Sequence, residues 1–91
     1  MSRTVRIPIG ATLLDAKRGT VTGNDRHAGR IGSVRLYSGF ASDGYKSDYT
    51  ARPCEWLVIE VEGERPFQFR YGGKNYGQGR KQFDDCAEVL A

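Results

Sequence analysis

The chain has 91 residues, of which 38% are hydrophobic, 27% charged and 11% aromatic, with a net charge of +3. That is the length of one domain, and the balance excludes a disordered segment, which would carry fewer large apolar residues and a larger net charge. The longest apolar run, Trp56-Leu57-Val58-Ile59, is far too short to span a bilayer, and the first fifteen residues hold no continuous apolar stretch of the secretory type. A single cytoplasmic domain over 1–91 with no membrane partner is therefore expected.

Ten of the fourteen basic residues are arginines, and they are unevenly placed. Residues 1–46 hold eight basic against three acidic groups, and residues 47–91 hold six against eight. A basic half of this kind points toward a polyanionic partner. Cys54 and Cys86 stand 32 positions apart with no C-x-x-C pair, which reads as two half-buried thiols in a reducing compartment, with a disulfide between them as the alternative.

In chain order, Val5, Ile7 and Ile9 alternate with Thr4, Arg6 and Pro8, which predicts a half-buried strand over 4–9, at an edge because Pro8 has no N–H to donate. Residues 11–18 fit either a helical turn closed by Gly19 or a bent strand. Residues 19–23 read as a short strand between glycines, and 24–29 as a polar turn. A strand over 30–40 follows, with Val34 and Leu36 on one face and Arg35 and Tyr37 on the other. Residues 38–53 then read as a long loop carrying Phe40, Tyr45 and Tyr49, which either packs on the core or presents its rings to a partner.

The strongest local signal is a hairpin. Leu57, Ile59 and Val61 alternate in the first arm and Phe67, Phe69 and Tyr71 in the second, so the two apolar faces match only in odd-to-odd pairing. A connection at Gly63-Glu64-Arg65 predicts the pairs Val61–Phe67, Ile59–Phe69 and Leu57–Tyr71, with Phe67 and Phe69 in the core. Glu60 and Arg70 would then be diagonal neighbours on the other face. Residues 72–81 form a Gly-rich basic loop. Phe83, Cys86, Ala87 and Leu90 fall at helical spacing, predicting a helix of about two turns with Asp84 and Asp85 at its start. The sum is a mainly β domain (β-rich α+β): a small antiparallel sheet or SH3-like barrel of 4–5 strands with a short C-terminal helix.

One segment resembles a known pattern. Val21 to Val34 carries a hydrophobic strand, a polar turn and then Gly29-x-x-Gly32-x-Val34, similar to the KOW motif of small SH3-like barrels. The resemblance covers fourteen residues and implies a barrel of the kind found in RNA-binding ribosomal and transcription proteins, and in protein adaptors.

These features nominate a binding surface for RNA or DNA. Arg26, Arg30 and Arg35 in the turn and its strand, Arg70 in the hairpin, and Lys74, Arg80 and Lys81 in the basic loop would reach phosphates. Tyr37, Tyr45 and Tyr76 would offer stacking platforms. The lone His27 has no metal-ligand spacing to either cysteine, and neither cysteine has a nucleophile signature, so no catalysis, metal or cofactor is expected. The alternative partner is a larger protein or ribonucleoprotein complex. The chain would then be an accessory or inhibitor, for example a phage or mobile-element protein acting on a bacterial defence complex such as an anti-CRISPR. Arg and Tyr serve that role equally well.

Overall fold

A computed structural model describes residues 7–23, 26–42 and 51–91. Four antiparallel strands lie in sequential order: β1 (Thr12–Thr20), β2 (Ile31–Ser42), β3 (Ala51–Val61) and β4 (Phe67–Gly72). A single 3₁₀ turn (Gly73–Asn75) leads into one helix, α1 (Gln78–Glu88). The expected mainly β architecture with a C-terminal helix is thus present in its open-sheet form, and among the described residues no pairing joins β1 to β4. No described helix is long and apolar enough to cross a membrane.

Alternation along β2 creates the core, and β3 beside it is buried on both faces from Cys54 to Val58. Val34 and Leu36 on β2 and Leu57 on β3 point to one face, and the stripe Phe83, Cys86, Ala87 and Leu90 turns toward them. Val21, Val34, Leu36, Leu57, Phe83 and Leu90 form the buried cluster, with Ile59 and Tyr71 packed at its margin. Complete burial of each such side chain contributes about 1.5–3 kcal/mol. The chain end locks the arrangement. The Thr20 N–H donates to the Ala91 carbonyl at 2.8 Å, the Ala91 N–H donates back at 2.9 Å, and Val21 bridges Leu90. Gly19 permits this contact, because a Cβ there would fall 2.5 Å from the Ala91 oxygen.

The structure corrects several expectations. The hairpin keeps the expected parity but slides by two residues, pairing Ile59 with Phe67, Leu57 with Phe69 and Glu55 with Tyr71. The turn is centred one residue earlier than expected, on Gly63 at φ +84°, where the Glu64 N–H donates to the Val61 carbonyl at 2.9 Å. Glu60 therefore lies beyond the end of β4, and Arg70 stands opposite Trp56. Phe67 and Phe69, expected in the core, are 42% and 45% exposed, because α1 lies chiefly over β2 and β3 and β4 is an edge.

The described part of the loop read over 38–53, residues 38–42 and 51–53, is strand: β2 and β3 remain paired from Ser38–Glu55 out to Ser42–Ala51. Tyr45 and Tyr49 lie outside the described residues. Of the strand read over 4–9, the described part, 7–9, is outside any strand, and the Ala11 N–H closes a turn on the Pro8 carbonyl at 3.1 Å. Residues 11–18 resolve in favour of the bent strand, with a bulge between Leu13 and Asp15, and Gly19 and Thr20 complete that strand. Finally, α1 begins at Gln78, so the end of the supposed basic loop is helical and Asp84 and Asp85 sit in mid-helix.

Candidate functional site

Strand register decides which side chains share a surface. The rows Leu13–Tyr37–Trp56–Arg70, Ala16–Arg35–Val58–Gln68 and Arg18–Ser33–Glu60 all lie on the face turned away from α1. The bulge in β1 makes this possible. It places Asp15 and Lys17 on the helix side, where Asp15 accepts from Arg80 and the Lys17 ammonium donates to the Ala87 carbonyl at 2.9 Å, and it sends Arg18 to the other side. Arg52, opposite Ala41, continues the same face. Among the described strand residues this face carries Arg18, Arg35, Arg52 and Arg70 against a single acid, Glu60.

Arg35 is the fixed centre of the group. Its Nη2 donates to Glu60 Oε1 at 2.8 Å, its Nη1 donates to the Tyr37 hydroxyl at 3.0 Å, and its guanidinium carbon lies 5.8 Å from the Tyr37 ring centroid. The Arg18 and Arg70 side chains are exposed and form no hydrogen bond or ion pair with the described residues. Beneath them Trp56 and Val58 are buried, and the Trp56 ring lies against Gly39, where Ala11 also approaches. The aromatic ring the surface offers is accordingly that of half-buried Tyr37, flanked by exposed Leu13. An open groove at the end of this face is lined by Arg18, Ser33, Glu60, Glu62, Glu64 and Pro66, so at this end acids outnumber the one base.

The structure brings together Arg35, Tyr37 and Arg70 of the residues nominated from sequence. The others lie elsewhere. Arg30 reaches across to the β3–β4 turn, 3.4 Å from the Glu62 carbonyl and 3.6 Å from the Glu64 carboxylate. Arg26 donates to His27 Nε2 at 3.3 Å, and His27 Nδ1 lies 3.8 Å from the same Glu64. These contacts tie the two turns at one end of the sheet. Lys74 stands in the 3₁₀ turn and Tyr76, half exposed, follows it. Arg80 clamps α1 to β1. It donates to Asp15 at 3.0 Å, lies 3.5 Å from Asp84, and sits over the Phe83 ring. The hydrogen bond from Arg80, with that of the Ala16 amide, holds the Asp15 carboxyl below the ordinary carboxylate range. Lys81 is exposed on α1, which packs on the opposite side of the sheet from Arg35. Tyr45 lies outside the described residues.

Sequence reasoning missed Arg18 and Arg52 as members of the surface, and Glu55 as a structural carboxylate. Arg18 reaches this face only through the bulge, which has no local sequence signal, and the signal for Arg52 is the continuation of β3 through Pro53. Both cysteines are free thiols. Cys54 is buried, and Cys86 is half-buried with its thiol pushed up by that burial and by Asp85. No protein-family model, curated protein or solved structure matches the chain.

Proposed function

We propose that this protein is a small non-enzymatic module that binds RNA or DNA through its phosphate backbone, using the sheet face opposite α1. The observation that carries this reading is the convergence of Arg18, Arg35 and Arg70 on one face where the single acid among the described strand residues, Glu60, is already engaged by Arg35. Arginine presents a planar fork of donors suited to phosphate oxygens. The bonds to Glu60 and Tyr37 order the Arg35 side chain before a ligand arrives, so less freedom is lost on binding. Tyr37 lies two strand spacings from Arg70, about 10 Å, so one ring and one phosphate contact can be made by a single bound strand. The KOW-like segment Gly29-x-x-Gly32-x-Val34 agrees with this reading, since its counterparts occur in RNA-associated proteins.

The test is a fluorescence-anisotropy titration of labelled single-stranded RNA and duplex DNA at several salt concentrations. Contacts from these arginines predict a log–log salt slope of about −2 to −3. The double variant Arg18→Ala/Arg70→Ala lowers affinity and reduces that slope by about 1.5, whereas Lys81→Ala leaves both unchanged. Absence of binding even at low salt overturns the reading and turns the search toward a protein partner.

A further inference from the structure

The arginines on the sheet face opposite α1 are held in two different ways. The Arg18 and Arg70 side chains form no hydrogen bond or ion pair with the described residues. Arg35, between them, is pinned. Its Nη2 donates to Glu60 Oε1 at 2.8 Å and its Nη1 donates to the Tyr37 hydroxyl at 3.0 Å. Guanidinium N–H groups lie in the plane of the group, so two such bonds to different neighbours fix the orientation of that plane. The floor around it is packed: Val58, opposite Arg35, and Trp56, opposite Tyr37, are both buried. Arg35 still keeps 34% of its side-chain surface in solvent, and its guanidinium carbon lies 5.8 Å from the Tyr37 ring centroid.

We propose that the Arg35 guanidinium, held by Glu60 and Tyr37, is a stacking platform for an unpaired nucleobase, so that this face selects single-stranded over duplex nucleic acid. The inference rests on the nucleic-acid reading of the face and gives its central residue a second task. The flat side of the guanidinium takes a base, while its remaining N–H groups stay donors to phosphate oxygens. Bases stack on guanidinium planes as they do on aromatic rings, and a plane fixed in advance loses little freedom when a ring settles on it. Bases within a duplex are covered on both sides by their neighbours and are hidden from such a platform. Strand register sets the flanking arginines along one diagonal. Arg18 stands one strand and two residues to one side of Arg35, about 8 Å, and Arg70 two strands and two residues to the other, about 12 Å. A single strand following that diagonal meets a phosphate contact on each side of a stacked base.

Fluorescence anisotropy at low salt with two labelled probes of equal length and charge tests it: a short oligodeoxyadenylate and its abasic counterpart. The natural chain is expected to bind the base-bearing probe at least about tenfold more tightly. Arg35→Lys keeps the positive charge and loses the plane, so it binds both probes alike, with its affinity for the abasic probe unchanged. Tyr37→Phe keeps the ring but removes one of the two anchors of the plane, and is expected to retain only part of the preference. Annealing the oligodeoxyadenylate to its complement removes the preference altogether. Equal affinity of the natural chain for the two probes overturns the platform and leaves phosphate binding standing. A full preference surviving in Arg35→Lys overturns it as well. Binding of neither probe overturns the nucleic-acid reading and this inference with it.

Discussion

Glu55, on the central strand β3, and Gly79, in the first turn of α1, form the joint between sheet and helix. The Gly79 N–H donates to Glu55 Oε1 at 3.2 Å, and the Gly77 N–H donates to the same oxygen at 2.8 Å. A carboxylate buried in the strand thus satisfies amides that a helix leaves without partners at its start, where negative charge is also favoured by the helix dipole. Glu55→Ala strands those amides and is expected to cost about 1–3 kcal/mol in urea denaturation. Glu55→Gln keeps an acceptor and should cost less.

Gly79→Ala isolates the packing side of the same joint. In an ordinary helix this change adds stability, up to about 1 kcal/mol. Here the new Cβ would stand 3.0 Å from both Glu55 Oε1 and Leu36 Cδ1, so one of them must shift. A lower denaturation midpoint is expected, by about 1 kcal/mol or more. A gain in stability would mean that the joint has slack.

The Asp15–Arg80 clamp gives a pH signature. The Asp15 carboxyl is held below its ordinary value in the folded chain, first by the hydrogen bond from Arg80 and then by that from the Ala16 amide. As pH falls, the unfolded chain takes up this proton before the folded one does. The clamp's contribution is therefore present above about pH 4 and is lost as pH falls through the folded value. Both side chains are substantially exposed, so the effect is small. Thermal midpoints of the natural chain and Asp15→Asn should differ at neutral pH and converge near about pH 2.

The sequence makes some of this architecture plain and hides the rest for physical reasons. The alternation in β2 and the 3.6-residue stripe in α1 identify the core faces, because burial on one side imposes those periods. The β3–β4 parity is equally legible, but its register is not, since a slide of two residues preserves every face. Phe67 and Phe69 look like core residues by composition, and only the reach of α1 over β2 and β3 leaves them half exposed. The outer parts of β2 and β3 contain Gly39, Ala41 and Pro53, poor strand formers that pair because the ladder beside them is already in place. Arg18 joins the basic face only through the bulge after Leu13, and Glu55 meets α1 across 24 positions of sequence. Neither contact has a local sequence signal.

The central claim is that one face of the sheet binds nucleic acid, and nuclear magnetic resonance mapping tests it most directly. The chain is titrated with a short single-stranded RNA while backbone amide and arginine Nε–H signals are followed. The account predicts shifts concentrated at Arg18, Arg35, Tyr37 and Arg70, with Arg80 and Lys81 on the helix side unmoved. Shifts confined to α1 and the 3₁₀ turn, or none at saturating RNA, would contradict it.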